Sequence, residues 1–418
     1  MALTTLDPWR EKGIPLDRQI RSWKQRVRSP YDKRDVDAYT RTRVILMNGI
    51  ENEAWFNSHQ LSRCTDNTEL KSLAAVTRMV EQQQQTTINW LNPADQSVLE
   101  TTVAYEQVAI DLTAYLARNE PDPYVRETFN FGLLEDFDHL YRYSELLDYL
   151  EEIDPDTILQ GKTEVLPGRP TIDHHNDPIV RLRKHYEKNR ALPISKLHIL
   201  TLMSAEQQTY LYYKSHGFEY PQRIARELYA EIGEVEEEHV TQYESLLDPN
   251  ETPLERQVLH ELMEVYNYMH CYAQEPDRRI KQIWEEFLHM ELTHLQLWGQ
   301  MLRKHEGIEP EALFGRTLTV DFSFEENKPY VREVLERQRD LRLVDRGFAH
   351  RDELPSDWSS YRYREAVHAG GVPSEEIVDI QAERNLPIER PGDELLARAR
   401  RVAQSIEPDQ RPRLLMRA

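Results

Sequence analysis

Two Glu-x-x-His pairs, each preceded by a glutamate thirty residues earlier, constrain the fold of this chain more than any other feature. The two sets are Glu206, Glu236 and His239, then Glu261, Glu291 and His294. Residues three apart on a helix lie on one face, about 5–6 Å from each other, so a carboxylate and an imidazole can reach the same metal ion. Each set therefore predicts a helical hairpin that carries one glutamate on its first helix and Glu-x-x-His on its second.

The acids of this pattern are embedded in apolar sequence, which is unusual for charged side chains on a helix. Apolar or aromatic residues on the helical face of Glu206 are Ile199, Leu202, Met203, Tyr210 and Tyr213. Around His239 the corresponding residues are Ile232, Val235, Tyr243 and Leu246. Four inward carboxylates would repel one another strongly unless bound cations neutralised them. The pattern therefore predicts a site for two metal ions inside a helical bundle.

This arrangement resembles the ferritin-like superfamily, and in particular the rubrerythrin-type di-iron proteins, over roughly residues 41–305. The resemblance implies an all-α, ferritin-like helical bundle with a carboxylate-bridged pair of iron ions, or of manganese ions. It also implies an oxidoreductase that reacts with peroxide or O2. Tyr210, Tyr243 and Trp298, one helical turn from the ligands, would supply hydrogen bonds or short electron hops. Electrons would come from an external donor or from a small-molecule substrate.

The spacing of these six residues recurs in the first half of the chain, at a constant offset of 155 positions. Subtracting 155 from their numbers gives Glu51, Glu81, Gln84, Glu106, Asp136 and His139. The tripeptide that starts at Glu120 recurs at the same offset, starting at Glu275, and reads Glu-Pro-Asp in both places. This repeat predicts an internal duplication of a two-hairpin unit, and so about eight main helices arranged as four hairpins.

The first copy has an incomplete set of metal ligands. Gln84 stands where an imidazole is expected, and Asp136 is one methylene shorter than the glutamate it replaces. We therefore expect a degraded or repurposed site, second or shared, formed by Glu51, Glu81, Glu106, Asp136 and His139. With the hairpins numbered in chain order, the sequence leaves open which of them face each other. The two hairpins of each copy could face each other, or hairpin two could face four while hairpin one faces three. In a third arrangement, hairpin two faces hairpin three.

The chain is predicted to divide into five segments. They are an N-terminal arm (1–38), a first ferritin-like copy (39–150), a connector (151–192), a second copy (193–305) and a C-terminal wrapping or oligomerisation arm (306–418). In the connector, His174 and His175 are interpreted as polar loop residues, because adjacent side chains do not face one direction.

The two arms are rich in proline and charge and are not expected to form catalytic domains. Trp9, Trp23 and the aromatic segment 358–363 are predicted to anchor them to the helices. Charged helical pieces are expected near 330–346 and 393–406.

Composition excludes several classes of function. The net charge of −21 argues against binding to nucleic acid or to an anionic membrane, because both require clustered Lys and Arg. No apolar run is long enough to span a bilayer and the N-terminus has no apolar signal core, so a cytoplasmic protein is expected. The two cysteines, Cys64 and Cys271, cannot form a rubredoxin-type iron site.

Other functions are compatible with the same residues. A di-iron oxygenase acting on a small organic substrate would need an apolar pocket beside the metals. An iron-storage protein would use the same ligands but assemble into a shell, whereas a metal-free scaffold would keep only the architecture. For the enzyme, a homo-oligomer, most simply a dimer, is expected.

Overall fold

The computed structural model describes residues 4–337, 339–341, 348–350 and 353–384. These residues are mostly helical, and the prediction of an all-α chain is confirmed. Eight long helices form the body: α1 (Ala38–Cys64), α2 (Thr68–Asn89), α3 (Val98–Asn119), α4 (Pro123–Glu151), α5 (Pro193–His216), α6 (Arg223–Glu244), α7 (Pro253–Gln274) and α8 (Arg278–Glu306). One-turn helices lie at Trp23–Arg26, Asp156–Leu159 and Glu311–Phe314.

Capping residues define where most of the long helices begin. Side chains that accept hydrogen bonds from the first turn are those of Asp37, Asn67, Ser97, Asp122, Thr252 and Asp277. Such caps satisfy backbone N–H groups that have no partner inside the helix. Helix α5 instead begins at Pro193, whose fixed φ suits a first helical position. These short capped turns fold consecutive helices back on each other as four hairpins.

The hairpins assemble into two four-helix bundles. Bundle A consists of α3, α4, α5 and α6, and bundle B consists of α1, α2, α7 and α8. Each bundle therefore joins a hairpin from the first half of the chain to one from the second half. Hairpin two faces hairpin three across the connector, and hairpin one faces hairpin four. The bundles do not coincide with the segments 39–150 and 193–305.

Helices α1, α3, α5 and α7 lie in the middle of the molecule, where the two bundles meet. Every residue of α1 from Ala38 to Ala54 is buried, so this helix has no solvated face over that length. Gly49 permits a close approach between the bundles, because a Cβ atom there would lie 2.4 Å from the side-chain oxygen of Gln208 on α5. The outer helices α6 and α8 keep a polar face towards water.

The N-terminal arm runs along α8. Strand β1 (Thr5–Leu6) pairs antiparallel with β2 (Leu318–Thr319), and the indole of Trp9 donates a hydrogen bond to Gly315 O at 2.6 Å. Further along, Ile14 N donates to His289 O at 2.6 Å. Trp9 therefore anchors the arm as predicted, whereas Trp23 is 78% exposed and anchors nothing.

The C-terminal arm packs against bundle A as far as the structure describes it. Helix α9 (Lys328–Arg337) contacts α4, and after a two-stranded ribbon, β3 (Arg339–Leu341) with β4 (Phe348–His350), come α10 (Ser359–Val367) and α11 (Pro373–Glu383). Helix α11 lies against α4 and α6, and Trp358 is buried. The charged piece expected at 393–406 lies outside the described residues. No helix in the described part of the chain combines the length and apolar character needed to cross a membrane.

A buried acid in α3 makes stability depend on pH. Asp111 accepts a hydrogen bond from the Thr163 hydroxyl at 2.7 Å, and burial raises its pKa to about 8. Since the folded state holds this proton up to a higher pH than the unfolded state does, stability falls as pH rises from about 4 to 8. We therefore compare the free energies of unfolding of Asp111→Asn and the wild type, measured with urea. From pH 5 to pH 8, the difference between them should change by roughly 2–4 kcal/mol in favour of the variant. A difference that stays constant across this range would contradict the assignment.

Candidate metal centres

The predicted ligands lie in two buried clusters, one in each bundle. Centre A comprises Glu106, Asp136, His139, Glu206, Glu236 and His239. Centre B comprises Glu51, Glu81, Glu261, Glu264, Glu291 and His294. The set proposed from the second half of the chain is therefore divided, with half of its residues in each centre. Centre A combines four carboxylates with two imidazoles, drawn from both halves.

Centre A is built around Glu236. Its Oε1 lies 2.8 Å from His139 Nδ1, and its Oε2 lies 3.2 Å from His239 Nδ1. His239 Nδ1 also lies 3.3 Å from an oxygen of Asp136 and 3.8 Å from one of Glu206. Both imidazoles thus present Nδ1 to the carboxylates, and the side chains are at most 2% exposed.

Two overlapping groups within centre A have the geometry of metal-ligand sets. Donor atoms lie within 4.8 Å of one another in the group Asp136, Glu206, Glu236 and His239, and also in the group Glu106, His139 and Glu236. Glu236 belongs to both groups, as a bridging carboxylate would. Oxygen atoms of Glu106, Asp136 and Glu206 have no hydrogen-bond partner among the described residues. Carboxylate oxygens with one imidazole per position suit iron or manganese.

The charges of centre A are strongly coupled. Burial, reinforced by the neighbouring acids, raises the pKa of Glu106 and of Asp136 well above the usual range and that of Glu206 to about 7. Against its own burial, the imidazoles of His139 and His239 lower the pKa of Glu236 to about 2. The carboxylates likewise outweigh burial at His239 and raise its pKa. A metal ion would displace these protons, so binding would release them.

A buried ionic network orients His239 from its far side. His239 Nε2 lies 2.7 Å from Glu135 Oε2, and Arg181 donates to the same carboxylate at 2.5 and 3.1 Å. Arg181 also donates to Glu238 and to the backbone oxygen of His174. Despite burial, Arg181 holds the pKa of Glu135 well below its usual range, so Glu135 accepts the His239 Nε2 proton. This leaves Nδ1 directed at the carboxylates, as in metal sites whose histidines are held by a carboxylate.

The aromatic residues nearest to the ligands differ in part from those predicted. Tyr213, which the sequence placed only on the apolar face, donates its hydroxyl proton to Glu106 at 2.5 Å. Tyr243 lies with its ring centroid 6.4 Å from that of His239, and neither its hydroxyl nor the Trp298 indole N–H has a partner within the described structure. Tyr210 is only partly buried and faces Lys214 instead.

The connector histidines are buried, contrary to the interpretation of this pair as polar loop residues. The His174 ring centroid lies 5.6 Å from that of His139, and neither of its ring nitrogens has a hydrogen-bond partner in the described part of the chain. Burial lowers the pKa of His174 well below its usual value, so it is neutral. His175 points elsewhere, with Nδ1 2.6 Å from His368 Nε2. His174 thus closes centre A on the side of His139.

Centre B has a different composition. His294 Nδ1 lies 2.8 Å from Glu291 and 3.9 Å from both Glu81 and Glu261. Gln84, at the position of the missing imidazole, donates its amide to Glu291 at 2.5 Å. The Tyr268 hydroxyl donates to Glu51. Glu264, which the sequence analysis did not single out, adds a fifth carboxylate, although its place one turn after Glu261 could have revealed it.

A cavity of about 550 Å³ opens beside bundle A between α5 and α6. Its wall includes Tyr210, Tyr213, Lys214, Arg226 and Tyr229. Tyr213 therefore connects this cavity with centre A, because it is part of the cavity wall and donates its hydroxyl to Glu106.

Comparisons with protein-family models, with curated proteins and with solved structures give no match for this chain. What the two centres do is therefore inferred from their own residues.

Proposed function

We propose that centre A binds two iron ions, or two manganese ions, and that the chain is a rubrerythrin-like oxidoreductase that reduces peroxide or O2. The observation that carries this proposal is the pair of ligand groups that share Glu236 in the buried interior of bundle A. A four-acid cluster with unpartnered oxygens is destabilising while its carboxylates are ionised, because buried carboxylates that lack counter-charges repel one another. Two cations with a total charge of at least +4 would neutralise it.

The bound metals would supply the electrons that reduce the oxidant, and the protein side chains prepare the site for them. Asp136, Glu206, Glu236 and His239 would hold one ion, and Glu106, His139 and Glu236 would hold the other, so Glu236 is common to both sets. Glu135 fixes the tautomer of His239 so that Nδ1 carries the lone pair. Tyr213 donates its hydroxyl proton to Glu106 and could thus supply a proton to the reaction at centre A.

A ferritin-like bundle that arose by duplication is part of this proposal. Contacts that recur at the offset of 155 support it. Tyr31 N donates to Leu91 O, and Tyr186 N donates to Leu246 O, both at 2.9 Å. Arg43 binds Glu275 at 2.8 Å, and the residue 155 positions after Arg43, His198, binds Glu120 at 2.7 Å. The two halves therefore make equivalent contacts across the bundles, as exchanged copies of one unit would.

The cavity beside Tyr213 favours a second candidate function, the oxidation of a small organic substrate. A pocket of about 550 Å³ lies in the usual size range of small-molecule sites. Its tyrosines offer aromatic contacts, and its charged wall residues carry both signs, with Lys214 and Arg226 on one side of the balance and Glu234, Glu237 and Glu238 on the other. The same molecule could be the electron donor for peroxide reduction, since two electrons and two protons from the donor balance one H2O2 reduced to two H2O.

Anaerobic loading with Fe²⁺ tests the proposed function. Metal-stripped protein should retain iron at centre A after removal of free metal, and added H2O2 should oxidise about two of these irons per peroxide consumed. Elemental analysis, Mössbauer spectra and peroxide consumption together provide the measurement. Faster oxidation by peroxide than by O2 would favour the rubrerythrin-like reaction.

The matched control replaces two ligand carboxylates of centre A with amides of nearly the same size. The double variant Glu206→Gln with Glu236→Gln should fold, as judged by circular dichroism, but lose the iron of centre A and the fast peroxide reaction. Equal iron binding and equal peroxide consumption by the wild type and this variant would refute the proposal.

A further inference from the structure

Centre B has more acidic side chains than centre A and fewer imidazoles among its ligand groups. Its five acids, Glu51, Glu81, Glu261, Glu264 and Glu291, are all 0% exposed. The oxygens Glu51 Oε2, Glu81 Oε1 and Oε2, Glu261 Oε2, and Glu264 Oε1 and Oε2 have no hydrogen-bond partner within the described structure. Within the ligand groups of the described residues the one imidazole is that of His294, and His260 lies outside them with its Nε2 3.9 Å from Glu264. Unpartnered carboxylate oxygens that converge in a buried interior must be neutralised, by protons when no metal is bound or by cations that displace those protons.

Glu264 accounts for the difference between the two centres. It lies one turn after Glu261 on α7, whereas the position 155 residues earlier, on α3 beside centre A, is Ala109. In exchange, centre B has Gln84 at the position that His239 holds in centre A. The Gln84 amide donates to Glu291, which stabilises an ionised carboxylate without supplying a ligand nitrogen. Centre B has thus lost one imidazole and gained one carboxylate.

We propose that centre B is a second, distinct metal site whose two positions are chemically unequal. One position lies among Glu81, Glu261 and His294, and the other among Glu261, Glu264 and Glu291, with Glu261 common to both groups. The second position offers carboxylate oxygen only. Such a donor set selects hard divalent cations, of which Mn²⁺ is the appropriate probe, over the more nitrogen-seeking metals. This inference concerns bundle B alone and does not depend on the function proposed for centre A.

The N-terminal arm completes centre B through Gln19. The amide nitrogen of Gln19 donates to Ile14 O at 2.7 Å and to Met290 O at 3.3 Å, so its oxygen faces His294 Nε2, 2.6 Å away. Because this oxygen can only accept, His294 carries a proton on Nε2, and Nδ1, which faces the carboxylates, is the nitrogen that can bind a metal. Gln19 is therefore a positioning residue, equivalent in role to Glu135 at centre A.

Metal titration in a background that lacks centre A tests this site. The Glu206→Gln, Glu236→Gln variant, stripped of metal, is dialysed against Mn²⁺ and analysed by elemental analysis and electron paramagnetic resonance. We expect about two Mn²⁺ per chain, bound in the interior and protected from fast chelation. Adding Glu264→Gln to this variant should remove about one Mn²⁺ per chain or raise the Kd of that Mn²⁺ at least tenfold.

Two further variants separate metal binding from folding. Glu264→Ala, which installs the residue that centre A has at the matching position, should have the same effect as Glu264→Gln. Glu53→Gln replaces another buried acid of bundle B, one that faces Glu244, and should leave Mn²⁺ binding unchanged. Gln19→Leu should weaken binding at the His294 position by about 10- to 100-fold while sparing the all-oxygen position.

The outcomes distinguish this inference from the proposed function. Absence of interior Mn²⁺ in the background variant, or equal binding with and without Glu264, would overturn the inference while leaving centre A untouched. Retained Mn²⁺ in that variant, together with a wild type that is inactive towards peroxide, would uphold centre B and refute the function of centre A.

Discussion

Glu236→Gln is expected to empty centre A of metal and to slow peroxide consumption by at least about 100-fold. The two ligand groups of this centre share Glu236, and both imidazoles lie within hydrogen-bonding distance of its oxygens. Glutamine keeps the volume and can accept one hydrogen bond, but it cannot bridge two cations or neutralise them. The measurement is iron content after anaerobic loading, followed by stopped-flow peroxide consumption.

Glu227→Gln is the matched control on the same helix. Glu227 forms an exposed ion pair with Arg223, so its replacement should change neither iron content nor rate. Normal iron content in Glu236→Gln with a lost peroxide reaction would show that Glu236 acts in the reaction without bridging. Unchanged activity would contradict its assignment altogether.

Arg181→Met is expected to lower the free energy of unfolding by about 3–5 kcal/mol. Arg181 is fully buried and binds Glu135 and Glu238, so its loss leaves two acids in the interior with little counter-charge. Burial and the charge of Glu135 already raise the pKa of Glu238 to about 8, so Glu135 is the partner that needs Arg181 most. Urea unfolding of metal-free protein at pH 7 provides the measurement.

Removing the acid together with the base tests whether charge, and not packing, explains this loss. The double variant Arg181→Met with Glu135→Gln should recover at least half of the stability, because no ionised acid is left without its partner. It should still bind metal less tightly than the wild type, since His239 loses the carboxylate that fixes its tautomer. A double variant as unstable as Arg181→Met alone would show that packing is responsible.

Helical spacing was sufficient to predict the ligand-bearing helices and the all-α class. A period of 3.6 residues determines which side chains share a face, so an acid on an apolar face is recognisable without coordinates. The same reasoning could have reached Glu264, which follows Glu261 by three residues. A dimeric state and a cytoplasmic location stay predictions.

The pairing of the hairpins could not be predicted, because both halves carry the same pattern and each face could pack against several others. Packing of α1 against α5 at Gly49 and the path of the connector determine it. Nor could the sequence reveal Glu135, Arg181 or Gln19, which reach the ligands from distant segments. Side chains that hydrogen-bond to the outer nitrogen of a histidine ligand follow no spacing rule in the sequence, because only the tertiary fold brings them next to that ligand.

The most direct test of the whole account is anomalous diffraction at the iron edge from crystals of the iron-loaded protein. We expect two anomalous peaks next to the Glu236 carboxylate, one among Asp136, Glu206 and His239 and the other between Glu106 and His139. A well-ordered centre A without anomalous density, in crystals whose iron lies only on the protein surface, would contradict the central claim.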